Sequence, residues 1–272
     1  MLALVTDSTC GLTRNEAAEL GVEVVPMGYV AEFGRREEGF VGENGDYAAL
    51  LASSRNVSTE AVRPSAFERA FRRQLEAGNE VLCVTISSRL SGTFRSAEQA
   101  AAAVGDARVT VLDSWLTAGA LEFLVRRARA LANEGRDAAE IAAELRELRG
   151  RERIVFSVPD MGALSRSGRL GAIRRAVATK LNRYPVMSLR EGGIVKLGDG
   201  RGARGMAEAM VARVPEGATE LLLSHFGPRG VEAREVLLAV RARLPHAHVR
   251  VKDGGPVLAR HLGMGSVSLS WA

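Results

Sequence analysis

The chain has 272 residues, 46% hydrophobic and 25% charged, the composition of an ordinary globular protein long enough for one large domain or two of common size. Its net charge of +5 allows an anionic partner, but the positive charge is scattered arginine with only Lys180, Lys196 and Lys252 beside it, and 5% aromatics leave few stacking platforms, so no nucleic-acid partner is expected. Two cysteines are too few for a disulfide framework, no apolar stretch reaches membrane-spanning length, and the N-terminus turns polar at Thr6-Asp7, too soon for a signal peptide; a cytoplasmic location is the expectation, with at most transient membrane-surface contact.

Residues 2–6 form an apolar run ending in Asp7-Ser8-Thr9, a strand in expectation. Thr13-Arg14-Asn15-Glu16 fits a capping box that opens a helix. Residues 22–30 read as a further strand. Over 64–77, Phe67, Ala70, Phe71 and Leu75 share one helical face and Gly78 stops the helix. Residues 80–86 are a buried strand, followed by Ser87-Ser88-Arg89-Leu90-Ser91-Gly92-Thr93 and a helix through 103. A strand over 108–112 ends in Asp113-Ser114, a long helix follows over about 116–133, and Asp137-Ala138-Ala139-Glu140 caps one more to about 148. This βαβ rhythm predicts a mostly parallel sheet with helices on both faces.

The pattern changes after Arg151. A strand over 153–158 precedes a polar, glycine-bearing stretch over 159–171 and a helix over 172–181. Residues 184–189 and 194–197 flank Arg190-Glu191-Gly192-Gly193 as a hairpin. Helices near 205–214 and 230–244 alternate with strands at 220–224 and 248–251, and a strand over 266–271 follows. The fold expected is α/β with two packed α/β domains, residues 1–150 with a mostly parallel sheet and residues 151–272 with a mixed one, and a ligand site at their interface.

The chemistry-bearing residues exclude more than they assign. The four histidines, His225, His246, His248 and His261, lack helix-face ligand spacing with a carboxylate, so no metal site is expected. Cys83 lies inside an apolar strand and Cys10 near a strand end, where burial is the plainer reading. There is no Gly-x-Ser-x-Gly elbow and Arg89-Leu90-Ser91-Gly92-Thr93 has no Walker lysine. No catalytic residue and no cofactor are assigned. Ser91-Gly92-Thr93 stands at the carboxyl end of a buried strand, where α/β sheets hold ligands, and the amino end of the following helix suits an anion. Taken alone, the stretch reads equally as an N-cap; the polar strand ends Asp7-Ser8-Thr9 and Asp113-Ser114, on the same expected side of the sheet, favour the anion site. Arg169 and His261 are possible further donors.

These residues carry a resemblance. Val5-Thr6-Asp7-Ser8-Thr9, the run from Ile86 through Ser91-Gly92-Thr93 to Ala97, Asp113-Ser114, Ser167-Gly168-Arg169-Leu170 and the segment 255–265 resemble, in order and over essentially the whole chain, the motifs of the DegV family of bacterial fatty-acid-binding proteins. The resemblance implies one long-chain fatty acid whose acyl chain lies in a tunnel and whose carboxylate lies near the domain interface. A separate ATP-dependent fatty acid kinase would then phosphorylate that carboxylate to an acyl phosphate for phospholipid synthesis. It implies Ser91, with Gly92 and Thr93, His261 and Arg169 as carboxylate-binding residues. The family's motif threonine falls on Thr59 when the alignment runs without gaps through Pro64, Phe67 and Phe71; matching Pro64-Ser65 instead would place Ala61 there. Glu60, Ala61, Val62 and Arg63 depart from the rest of that motif. The rival reading is a hydrolase or phosphotransferase acting on a small anionic substrate in the same cleft.

Overall fold

The computed structural model describes residues 1–32, 34–170 and 182–272. Strand β1 (Leu2–Asp7) passes through a single 3-10 turn, Ser8–Cys10, into α1 (Arg14–Glu19), whose start is the capping box: Thr13 and Glu16 each satisfy the other's backbone N–H. Residues 22–30, expected as one strand, are two: β2 (Val22–Val25) and β3 (Gly28–Ala31), in different sheets. Pro26 stands between them and cannot donate to a ladder, so pairing stops there. β3 joins β4 (Gly34–Glu37) and β5 (Ser58–Glu60) in a small antiparallel sheet, with α2 (Tyr47–Ser53) between the latter two.

The larger N-terminal sheet is parallel in the order β2-β1-β6-β7, with β6 at Glu80–Thr85 and β7 at Val109–Asp113. Period-2 alternation sorts β6 between two cores. Val81 and Cys83 face one side with Phe67 and Phe71 of α3 (Pro64–Glu76) and Ala97 and Ala100 of α4 (Thr93–Val104). Leu82 and Val84 face the other, with Leu121 and Leu124 of α5 (Ala118–Asn133) and Ile141 and Leu145 of α6 (Ala138–Arg149).

Six strands form the mixed sheet of the second half, in the order β10-β9-β8-β13-β11-β12: β8 (Ile154–Ser157), β9 (Arg183–Arg190), β10 (Gly193–Arg201), β11 (Glu220–His225), β12 (His248–Asp253) and β13 (Val267–Trp271). The β9–β10 hairpin turns at Glu191-Gly192, both with positive φ, 47° and 77°, as a two-residue turn matched to strand twist requires. The outer face of the mixed sheet carries Val155, Leu221, Leu223, Leu269 and Trp271 against Met206 and Met210 of α8 (Gly202–Val211) and Val236 and Val240 of α9 (Val231–Arg243). Its inner face carries Ile154, Phe156, Met187 and Leu189 and shares one core with α5 and the first sheet.

Helix α5 is therefore covered on both sides, and ten of its sixteen residues are buried. The contact is close enough to demand a glycine: a Cβ on Gly119 would lie 2.8 Å from Leu222 and 3.0 Å from the Ser270 hydroxyl. Two short helices of the second half escape the sequence pattern. The stretch 159–171, read from sequence only as polar and glycine-bearing, contains α7 (Met161–Arg166), and α10 (Pro256–Leu262) follows β12. The helix expected over 172–181 lies outside the described residues. Among the described residues no helix is long and apolar enough to cross a membrane, and no cluster of three or more His, Cys, Asp or Glu side chains has the arrangement of a metal site.

Candidate functional site

The loop after β6 is held from three directions. Asp7, fully buried at the end of β1, accepts the Ile86 N–H at 2.7 Å, and its other oxygen accepts the Thr9 hydroxyl at 2.6 Å and N–H at 3.1 Å. Asp113, at the end of β7, accepts the N–H groups of Ser88 and Trp115, each at 3.1 Å. From the second half, the hairpin tip receives the Ser87 hydroxyl on the Gly192 carbonyl at 2.8 Å. The polar strand ends thus converge as the alternation of strand and helix implies, but their carboxylates are engaged by backbone and fix the loop. Burial pushes the Asp7 carboxyl above its ordinary pKa against those hydrogen bonds.

The fixed loop delivers Ser91 and Gly92 to a cavity between the two halves. Its walls are apolar: Met27, Ile86, Leu90 and Ala118 from the first half, and Ile154, Phe156, Leu164, Leu189, Phe226, Val257 and Leu258 from the second. Thr59, Arg169 and His261 also line it, so five of the six expected residues meet on one cavity. Thr93 does not line it: it is fully buried, its hydroxyl lies 3.0 Å from Ser91 Oγ, and it accepts the Val62 N–H at 3.3 Å. Thr93 thereby ties the start of α4 to the segment after Thr59, and Ser91 Oγ in turn accepts the Thr93 N–H at 3.2 Å. Gly92 faces Ala61, whose Cβ would stand 3.7 Å from a Cβ on the glycine.

Thr59 and His261, 202 residues apart in sequence, lie in direct contact, with Oγ1 2.7 Å from Nε2. Nδ1 of the same ring is buried with no partner. Burial, with the positive charges of Arg169 and Arg260, pushes the imidazole down to about 4, so it is neutral at physiological pH. A neutral ring carries one N–H. With Thr59 donating to Nε2, that proton sits on Nδ1 and points at an absent acceptor; with Nε2 donating to Thr59, the hydroxyl proton is free. Only the first arrangement lets an incoming acceptor satisfy the buried Nδ1, and leaving such an atom unsatisfied costs about 1–3 kcal/mol.

Arg169 supplies the charge. Its Nε donates to the Leu90 carbonyl at 3.3 Å, and its guanidinium also bonds the Ser167 carbonyl. Among the described residues no carboxylate pairs with it, and burial lowers its pKa. A half-buried cation with no counterion among the described residues, beside an orphaned donor, is an arrangement that an anion can answer.

One residue of this region had no signal in the sequence. Glu38, 3% exposed, accepts the Val257 N–H at 3.0 Å and the Ser8 hydroxyl at 2.6 Å, and so anchors the start of α10, the helix that carries His261. Gly255 permits this approach: its φ is +80° and a Cβ there would lie 2.5 Å from the Glu38 carboxylate. Burial, with Asp7 and Asp253 nearby, raises Glu38 to about 7. In the sequence it is one acid of an Arg-Arg-Glu-Glu run, indistinguishable from a solvated face.

Fold and site together define an α/β protein with an apolar cavity between a parallel and a mixed sheet, its lining broken by the cationic, hydroxyl-rich group of Thr59, Ser91, Arg169 and His261, here termed the mouth. The family model described as "Uncharacterised protein, DegV family" matches residues 1–272, and the chain belongs to that family. A DegV domain-containing protein of Halalkalibacterium halodurans is 31% identical over 99% of this chain and 98% of its own. Another, of Deinococcus radiodurans, is 32% identical over 99% and 97%. Among solved structures, a Thermus thermophilus DegV family protein described by its fatty acid binding is 30% identical, with a TM-score of 0.85 over 100% of this chain and 99% of that one. Bacillus subtilis DegV, described as a fatty acid binding protein, shares the fold with a TM-score of 0.86 at 23% identity over 99% and 98%.

Proposed function

We propose that this protein binds one long-chain fatty acid in the cavity between residues 1–150 and 151–272, taken as its two domains. It would then present the carboxylate to a separate ATP-dependent kinase in the cytoplasm, for conversion to an acyl phosphate that enters phospholipid synthesis. The observation that carries the reading is the pairing of an apolar cavity with an unanswered guanidinium and an orphaned imidazole nitrogen at its mouth. A carboxylate between Arg169 and His261 Nδ1 answers both, with the hydroxyls of Ser91 and Thr59 as further donors, Gly92 leaving room beside them and Thr93 steadying Ser91. The fatty acid binding described for the Thermus thermophilus relative supports the same ligand. In this reading the chain needs no cofactor and forms no bond itself; the acyl tail supplies affinity, about 0.8 kcal/mol gross per buried methylene, and the mouth supplies orientation.

The Thr59–His261 contact raises a second reading, a hydroxyl nucleophile with its base. A working triad has a third group on the far imidazole nitrogen to fix the tautomer, and the Nδ1 position is where the described residues place no partner. Native mass spectrometry of the purified protein tests the first reading: an adduct in the long-chain fatty acid range, lost on solvent extraction and restored by added palmitate or oleate, is expected. An apo mass with no uptake rejects it. Steady ester hydrolysis or ADP release by the protein alone, lost in His261→Gln, favours the second.

A further inference from the structure

Strand β13 alternates strictly: Val267, Leu269 and Trp271 enter the outer core of the mixed sheet, while Ser266, Ser268 and Ser270 take the opposite face, toward the cavity and α5. The Ser266 hydroxyl is bonded to the Leu262 carbonyl at 3.0 Å. Those of Ser268 and Ser270 are buried and bonded to nothing, as is that of Thr117, the residue before α5. Ser270 is pressed against α5 at Gly119. Ser268, 2% exposed, and Thr117 both line the cavity, among mostly apolar neighbours. Ser268 pairs in register with Phe156, a wall residue on the same face.

An apolar tail asks nothing of these groups. A wall built only for an alkyl chain would carry alanine and valine here, because a buried hydroxyl without a partner is a net cost. The two hydroxyls belong to β13 and to the entrance of α5, elements that carry none of the mouth's polar groups Thr59, Ser91, Arg169 and His261. Resting on the fatty-acid reading above, we propose that Ser268 and Thr117 form a second polar subsite within the tail cavity. It recognises a fatty acid bearing a hydroxyl on its chain, which can donate to one of the two oxygens and accept from the other.

The test is a titration series with stearate and with hydroxystearates whose hydroxyl is moved along the chain, against the wild type, Ser268→Ala and Thr117→Val. In the wild type one positional isomer should bind about tenfold more tightly than stearate, the worth of a buried hydrogen bond. Each variant should lose that preference while binding stearate as well as the wild type or better. A structural role would instead weaken all ligands alike. If Ser268→Ala fails to fold, the near-isosteric Thr117→Val carries the comparison. Stearate binding with no positional preference, as an ordered water on the two hydroxyls would give, overturns the subsite, and so does a preference that both variants retain. Failure of the wild type to bind stearate at all overturns the fatty-acid reading itself, and the subsite with it.

Discussion

Two charged regions lie where the halves of this protein meet, and they are built on opposite terms. In one, Glu16 of α1 and Glu122 of α5 face Arg126 of α5 and Arg250 and Lys252 of β12, and every charge is answered. Lys252 reaches Glu122 at 2.7 Å, and Arg126 reaches Glu122 and Glu16 at 2.8 Å each. In the other, Arg169 and Arg260 stand beside a neutral His261 with no carboxylate among the described residues. The first arrangement is complete in the protein alone and acts as a clamp; the second is completed by something else. Partly buried arginines stand in both regions; the inventory of counterions is what sets the two apart.

Removing a carboxylate from the clamp should have the largest effect. Glu122 is fully buried, so Glu122→Ala leaves Lys252 and Arg250 short of a partner and should cost about 3–5 kcal/mol, read as a shift of the denaturation midpoint. A loss under about 1 kcal/mol would show the clamp to be better hydrated than its geometry implies. Arg169→Met inverts the pattern. Stability should hold or rise, because an unpaired half-buried charge is removed, while fatty-acid affinity falls by about 1.5–3 kcal/mol, the range for hydrogen bonds to charged groups. If Arg169→Met destabilised the free protein as Glu122→Ala does, the distinction between clamp and mouth would collapse. Ser91→Ala and Thr59→Ala should each weaken binding by about 0.5–1.5 kcal/mol in the same titration; a silent Thr59→Ala beside an effective Ser91→Ala would move the anchor off Thr59.

A further effect is a slope in pH. The folded His261 titrates at about 4 against an ordinary 6.5, so the unfolded chain takes up the proton first and stability falls as pH drops from 6.5 toward 4. Glu38 titrates at about 7 against an ordinary 4.5; the folded chain holds that proton first, so stability rises as pH drops from 7 toward 4.5. The two slopes oppose each other between 6.5 and 4.5. His261→Gln should therefore gain stability relative to the wild type on moving from pH 7 to pH 5, measured by denaturant unfolding. An unchanged difference across that range would mean that the imidazole is not desolvated in the folded state.

The contrast also marks what the sequence could say. The parallel sheet and its long helices were readable because their residues repeat at period 2 or 3.6 across buried faces, as in Val81 to Val84 or Phe67, Ala70 and Phe71. The small antiparallel sheet was not: the four residues of β4, Gly-Arg-Arg-Glu, are all exposed and carry no periodic signal. Helix α10 opens on Gly-Gly-Pro and is buried only by what packs on it. At the mouth, the serine-glycine-threonine loop announced itself by chemistry at a strand end, while Arg169, His261 and Thr59 were placed through family likeness, since residues brought together across about two hundred positions leave no local pattern. The engaged roles of Asp7 and Asp113 and the anchoring role of Glu38 needed the backbone donors to be seen.

The position of β13 has a consequence for how the chain is made. It follows the other five strands of its sheet in sequence, yet it sits in the interior of that sheet, between β8 and β11, and its partner Val155 lies 114 residues earlier than Leu269. On the ribosome the parallel sheet has all four of its strands once β7 emerges and can close early, as N-terminal units generally do. The mixed sheet stays split into β8-β9-β10 and β11-β12 until β13 arrives between them, so its inner apolar face, and with it one wall of the cavity, is assembled only after β13 has emerged. During that interval the open edges of β8 and β11 are unpaired and offer strands to neighbouring chains, and the already folded first half, with α5 laid across the gap, is the nearest surface to cover them.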